Sequence, residues 1–252
     1  MNMGKLILFS VVTLVLVGCG SNSAKEETSE AAIDTYIQLG LNYLSEGKKD
    51  QARYNLLKAI DAQPRSPVAN NAIALLYQSE GESSLAESHF KKSLSADNSF
   101  NQARYNYARF LLSEGRSKDA EKEYTKLVAD VNYRLRAHAF LGLGLAREAE
   151  GDLVGAKEAY RRSYQRDSRV TIALLELADI AVTEKDFVSA KELLDQFESQ
   201  TAATPRSLKL GIDLAAHFND DDAESSYSMA LRNMFPDSRE AREHVLSTKT
   251  GE

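Results

Sequence analysis

The sequence has little of several features that would mark a specialised class of protein. It contains one cysteine, four prolines, 13 glycines and no tryptophan among 252 residues. A single thiol cannot form an intramolecular disulfide, and it leaves no second cysteine for a zinc site. The low proline and glycine contents exclude collagen-like and low-complexity chains. We therefore expect a globular protein that is long enough to bury a sizeable core.

An excess of positive charge is also absent. The chain carries 31 Lys and Arg against 37 Asp and Glu, a formal net charge of −6. Surfaces that bind phosphate backbones need clustered lysine and arginine. The charge balance therefore predicts no nucleic-acid partner.

An apolar run near the N-terminus predicts an export signal. Residues 6–17 (LILFSVVTLVLV) are 12 residues long and follow Lys5. They fall short of the roughly 20 residues that span a bilayer, but they match the core of a signal peptide. The run ends in LVGC, which resembles the lipobox of bacterial lipoproteins. That resemblance implies removal of residues 1–18 and lipidation of Cys19; the alternative is that Cys19 is a buried free thiol.

The residues after Cys19 bear on where the protein is attached. Gly20 stands where an Asp would typically signal retention in the inner membrane. The lipoprotein resemblance therefore implies the periplasmic face of the outer membrane, with lipid holding the chain there. Residues 19–30 are small, polar and charged, so we predict a flexible tether before a folded domain at 31–252.

A spacing of 34 residues recurs through this domain. In the block that begins at Ile33, small residues stand at positions 8 (Gly40), 15 (Gly47) and 20 (Ala52), with Leu56 at position 24. This pattern resembles the tetratricopeptide repeat (TPR), in which two helices pack closely at small residues. The predicted repeats lie near 33–66, 67–100, 101–134, 137–170, 171–204 and 204–237, followed by a C-terminal capping helix at 239–246. The fold class is therefore predicted to be all-α, a right-handed superhelix, or solenoid, of about six TPRs.

Three local features qualify the repeat pattern. Two extra residues, Leu135 and Arg136, precede the fourth repeat and lengthen either the preceding helix or its turn. Lys185 stands where the other turns carry Gly, whose usual role there is to adopt a left-handed conformation. Asp237 or Ser238 is expected to cap the last helix.

The chain offers no pattern typical of catalysis or metal binding. The four histidines lie in different repeats at no metal-ligand spacing, Leu-Gly-Leu-Gly at 141–144 lacks the rest of a phosphate loop, and 219–222 (NDDD) lacks an EF-hand spacing. We read the glycines as helix contacts and the acidic run as a solvated turn. The sequence predicts no enzyme activity, cofactor, metal ion or small-molecule substrate.

The predicted register places positions 2, 5, 9 and 12 of each first helix on the concave face of the solenoid. This groove is predicted to hold an amphipathic helix or an extended segment of a protein partner. The alternative is that its leucines pack against the neighbouring repeat. Ile37 and Leu41 replace the Lys and Asn of TPR proteins that clamp a carboxylate, so such a clamp is not expected. The predicted groove residues are Asp34, Ile37, Leu41, Leu44, Asn71, Leu75, Gln78, Tyr105 and Arg109.

Beyond the generic repeat, the sequence resembles the PilF/PilW family of type IV pilus lipoproteins. The resemblance rests on segments spread over the mature chain, namely 36–43 (YIQLGLNY), 51–53 (QAR), 173–179 (ALLELAD), 206–208 (RSL), 210–212 (LGI) and 235–236 (FP). It implies a pilotin, a lipoprotein that binds the outer-membrane secretin of the pilus and promotes its localisation and multimerisation. The alternative is an envelope scaffold that positions cell-wall or polysaccharide-export proteins.

Overall fold

The computed structural model describes residues 29–250, with side chains up to Leu246. This range folds into thirteen α-helices and contains no strand, which confirms the all-helical prediction. In chain order the helices are α1 (Glu30–Ser45), α2 (Lys49–Ala62), α3 (Pro67–Glu80), α4 (Ser83–Ala96), α5 (Asn101–Ser113), α6 (Ser117–Ala129), α7 (Arg136–Ala149), α8 (Leu153–Arg166), α9 (Ile172–Thr183), α10 (Phe187–Glu198), α11 (Pro205–Phe218), α12 (Asp221–Met234) and α13 (Arg239–Thr250).

The helices pack as six successive pairs, in the stacking of TPR proteins. Each odd-numbered helix up to α11, here called an A helix, packs on the B helix that follows it, and each B helix contacts the next A helix. The A helices α1, α3, α5 and α7 also contact one another in order along the stack. Each pair thus buries its apolar surface against its neighbours, as repeat proteins do.

Small residues bring the two helices of a pair into close contact. A Cβ atom added to Gly40, Gly144 or Gly211 would lie within 2.5 Å, 2.3 Å and 2.7 Å of the side chains of Leu56, Tyr160 and Tyr227, respectively. These partners stand at position 24 of the same repeats. Only glycine fits at these crossings, which is the reason for the small residue at position 8. A Cβ at Gly142 would in turn lie 2.2 Å from the ring of Tyr124, so the 141–144 glycines are helix contacts.

The turns inside the repeats require a left-handed residue. Gly47, Gly81, Gly115 and Gly151 adopt φ values of 74°, 78°, 72° and 81°, at which glycine is unstrained. Lys185 takes the same conformation with φ 62° in the fifth repeat. For a residue with a Cβ this conformation costs roughly 1–2 kcal/mol. The fold therefore imposes the turn even where the sequence lacks the glycine.

The extra residues before the fourth repeat lengthen a turn. Residues 130–135 separate α6 from α7, whereas only 63–66 separate α2 from α3. Helix α6 itself has 13 residues and is shorter than α2, α4 and α8, which have 14 residues each. Of the two alternatives open from the sequence, the structure therefore shows the longer turn.

A thirteenth helix packs on the sixth repeat. Helix α13 packs on α11 and α12, and its Ala241 joins Leu208, Ile212 and Leu231 in a buried cluster. The backbone N–H of Ala241 donates to Ser238 Oγ at 3.1 Å, so Ser238 caps this helix.

Candidate functional site

Partner binding is predicted at positions 2, 5, 9 and 12 of each repeat, all of which lie on A helices. We call this surface the A-helix face. In the first repeat, Asp34 is exposed and Leu41 and Leu44 are half-buried against the cluster that contains Leu56 and Ile73. Ile37 is only 1% exposed and belongs to that cluster. Leu41 and Leu44 therefore offer apolar surface, and Ile37 supports it from beneath.

A line of amides joins the second and third repeats across this face. Asn71 is 5% exposed, and its Oδ1 accepts a hydrogen bond from Asn106 Nδ2 at 3.0 Å. Gln102 Nε2 donates to Asn106 Oδ1 at 3.2 Å. Since Asn71 has its bond inside the protein, it fixes α3 against α5 and presents little to a partner. The flanking Leu75 and Gln78 are half-buried.

Aromatic side chains surround the exposed Arg109 in the third repeat. The ring centroids of Tyr105 and Tyr124 are 6.1 Å apart in an edge-on arrangement, and the guanidinium carbon of Arg109 lies 6.0 Å from the centroid of Tyr105. Burial raises the pKa of the half-buried Tyr105. Arg109 is thus an exposed cation held beside an aromatic surface, a combination common where proteins bind other proteins.

Tyr133 is a feature of this region that the sequence analysis missed. Its hydroxyl is buried and has no hydrogen-bond partner among the described residues. Burial is the main cause that raises its pKa to about 12. It lies in the long turn before α7 and lines a cavity of about 440 Å³ together with Gln102 and Leu135. The insertion at 135–136 was a signal that this turn is unusual.

The fourth repeat continues the apolar surface. Leu141 and Leu145 of α7, at positions 5 and 9 of the fourth repeat, are half-buried against the cluster around Tyr160 and Leu177. The groove residues named from the sequence lie in the first three repeats. The same rule extended by one repeat would have included these two leucines.

In the fifth repeat, an ion-pair cluster includes one position of this face. Arg206 of α11 donates from two nitrogens to the two oxygens of Glu176 at 2.8 Å and 2.6 Å, and it also pairs with Asp179 at position 9 of α9. The hydrogen bonds to Glu176 are the main cause that raises the pKa of Arg206. The carboxylate of Glu176 is nearly buried, with 9% of its side chain exposed. These three residues bind one another, and no sequence motif pointed to them.

The sixth repeat has no open A-helix face. Leu208 and Ile212, at its positions 5 and 9, are 3% and 4% exposed because they lie in the cluster that α13 completes. The half-buried or exposed apolar side chains of this face therefore lie on α1, α3, α5 and α7, and on α9 at Ile172 and Val182. The groove predicted from the sequence lies within that part.

The residues considered for metal binding or catalysis have structural roles. His89 Nδ1 lies 3.0 Å from Asn70 Oδ1, and burial lowers its pKa. His217 stacks on Phe187 with ring centroids 3.6 Å apart. Asp220 caps α12 through the backbone N–H of Ala223. No group of three potential metal ligands is found in the part of the chain that the structure describes.

The membrane attachment predicted at Cys19 lies outside the described residues, as does the predicted signal peptide at 1–18. Among residues 29–250, no helix is both long enough and apolar enough to cross a membrane.

Comparison with known proteins assigns the family. The tetratricopeptide-repeat profile matches residues 33–66 and 68–100. The type IV pilus assembly protein PilF of Pseudomonas aeruginosa is 32% identical over 241 residues, which cover 94% of this chain and 96% of that protein. This chain belongs to the PilF family. A solved structure of P. aeruginosa PilF, 34% identical, superposes with a TM-score of 0.78 and covers 86% of this chain and 98% of that one.

The family assignment agrees with the absence of catalytic patterns in the sequence, because PilF proteins are non-enzymatic TPR proteins of pilus assembly. A crystal structure of PilW, described as a widely conserved type IV pilus biogenesis factor, has the same fold with a TM-score of 0.78. It is 22% identical and covers 86% of this chain and all of its own. The TPR fold and the PilF/PilW resemblance inferred from the sequence are thus confirmed.

Proposed function

We propose that this protein is a pilotin, which binds the secretin of a type IV pilus and promotes its localisation and multimerisation in the outer membrane. The observation that carries the proposal is the likeness to a type IV pilus assembly protein over 94% of the chain. The A-helix face adds a surface suited to a protein client. TPR solenoids use such faces to bind other proteins.

Membrane delivery in this proposal depends on the N-terminus. Lipid on Cys19 would hold the protein at the periplasmic face of the outer membrane, since acyl chains contribute roughly 0.8 kcal/mol for each buried CH₂ group. A client bound to the TPR domain would then be brought to the same membrane. Binding and location together account for the function without a chemical reaction.

The client surface is proposed to lie on α1, α3 and α5. Leu41, Leu44 and Leu75 supply half-buried apolar area, and Tyr105 with Arg109 supplies an aromatic and cationic edge. A helix or strand of the client with apolar residues on one side fits this arrangement. Asp34 and Gln78 lie at polar positions of the same face.

The first experiment measures secretin multimers that resist detergent in isolated outer membranes. It compares the wild type, a deletion of this gene and Cys19→Ala. We expect multimers to disappear in the deletion, and the secretin to stay monomeric or mislocalised with Cys19→Ala. Identical multimers in the same membrane in all three strains would exclude the pilotin function and favour an envelope scaffold.

A second experiment addresses the client surface with matched charge changes. Leu41→Glu and Arg109→Glu should each weaken secretin binding by about tenfold. The first change places a negative charge in an apolar surface, and the second replaces an exposed positive charge with a negative one. Lys92→Glu on α4, an exposed B-helix lysine, is the control and should leave binding unchanged. Unchanged binding of both groove variants, with helicity and melting temperature also unchanged, would show that the client binds elsewhere.

A further inference from the structure

The first repeat exposes side chains that later repeats bury. At position 7 of the A helices, the side chain normally packs on the B helix of the preceding repeat, as Tyr107 does on Phe90 with ring centroids 5.7 Å apart. Leu39, at the same position of the first repeat, is 39% exposed. The corresponding residues of the later repeats are 1% to 7% exposed, namely Ile73 1%, Tyr107 7%, Leu143 4%, Leu177 5% and Leu210 7%.

Helix α2 adds apolar side chains at this same end. Tyr54 is 60% exposed and Leu57 is 38% exposed, one helical turn apart. At the same two positions, the next three repeats carry only polar or charged residues, namely Ser88 and Lys91, Lys122 and Thr125, and Glu158 and Arg161. The composition of the first repeat therefore differs from that of its neighbours where all of them face solvent.

A lysine connects the two helices of this surface. Lys58 Nζ lies 4.6 Å from the ring centroid of Tyr54 on α2 and 5.3 Å from that of Tyr36 on α1. Tyr36, Leu39, Tyr54, Leu57 and Lys58 together form what we call the end patch. It combines aliphatic surface, phenol hydroxyls and a cation on a long apolar stem.

We infer that the end patch lies against the phospholipid surface of the membrane when Cys19 carries lipid; this rests on the lipid anchor of the proposed function. Tyrosine and lysine are the side chains that place an apolar body in the interface and a polar end in water. Cys19 precedes Ser29, the cap of α1, by ten residues. A chain of that length spans at most about 35 Å, so a lipid on Cys19 keeps this end, more than any other part of the domain, close to the bilayer.

The experiment uses the full-length lipidated chain in vesicles of phosphatidylethanolamine and phosphatidylglycerol. Cys19 is the only cysteine of the sequence, so its lipidation leaves an introduced cysteine as the single free thiol. Leu57→Cys probes the end patch, and Lys91→Cys probes the same position of the second repeat. Each is labelled with an environment-sensitive fluorophore, and nitroxide-bearing phospholipid serves as the quencher.

The expected result is quenching at least about twofold stronger at position 57 than at position 91, with a blue-shifted emission at position 57, as for a side chain in the interface. Co-flotation of protein and vesicles is measured first. Without flotation, both the lipid anchor and this inference are overturned. Flotation with equal quenching at the two positions overturns this inference alone. The inference is also overturned if the emission shift at position 57 depends on the amount of protein per vesicle and the emission is not quenched by the nitroxide lipid. That result would assign the patch to contact with a second copy of the chain.

Discussion

The first three repeats and the last two follow the same plan but leave different surfaces. In the first three, glycine makes each turn and half-buried apolar side chains lie on the A-helix face. In the last two, Lys185 and Asn219 make the turns. An ion-pair cluster lies at the A-helix face of the fifth repeat, and α13 packs on the sixth. The difference teaches that, where the repeat pattern is broken, side chains or a further helix of the protein occupy surface that the regular repeats expose.

The sharpest test of this difference places a charge at each end of the stack. Ala241→Asp would bury a carboxylate among Leu208, Ile212 and Leu231, and should destabilise the C-terminal repeats by about 3 kcal/mol. Leu39→Asp in α1 should change stability by about 0.5–1 kcal/mol, because this side chain is already 39% exposed.

Hydrogen exchange measures both effects region by region. Protection in α11 and α12 should fall in Ala241→Asp, while α3 to α6 keep theirs, because repeats depend mainly on their neighbours. An equal loss from the two substitutions would contradict the distinction between the buried Ala241 and the exposed Leu39.

A second test removes the cation that holds the A-helix face of the C-terminal repeats. Arg206→Met should cost about 2 kcal/mol, because the nearly buried Glu176 loses its partner. Adding Glu176→Gln to this variant should restore part of the loss, since the buried charge is then absent. Urea unfolding measures both values; no recovery in the double variant would mean that the arginine acts by packing alone.

The smallest effect concerns the turn of the fifth repeat. Lys185→Gly should stabilise the protein by about 1 kcal/mol, because glycine adopts a φ of 62° without strain. The reverse change in the third repeat, Gly115→Lys, should destabilise by a similar amount at φ 72°. Thermal unfolding of the two variants gives the comparison, and a destabilising Lys185→Gly would show that the lysine side chain contributes a contact that outweighs the strain.

The helix pairs and their close contacts could be predicted because they depend on local spacing. Gly40, Gly144 and Gly211 stand sixteen residues before the side chains they contact. Each contact therefore lies within one repeat, and the same spacing recurs in the sequence. The left-handed turn at Lys185 was visible in the same way, as a missing glycine at a fixed position.

The burial of individual groove residues could not be predicted in the same way. Ile37 and Leu41 both occupy positions of the A-helix face, yet only Leu41 keeps exposed surface, since burial depends on how the neighbouring helices pack. Arg206 and Glu176 lie 30 residues apart and meet only when two repeats stack. No short motif marks such a pair.

Helix α13 also hides apolar side chains that the six helix pairs alone would expose. A protein whose synthesis stopped before Arg239 would still contain all six helix pairs, but Leu208 and Ile212 would face water. Exposed apolar surface of this kind is what chaperones and proteases recognise in unfinished proteins. Helix α13 therefore keeps the sixth helix pair from being recognised as incompletely folded.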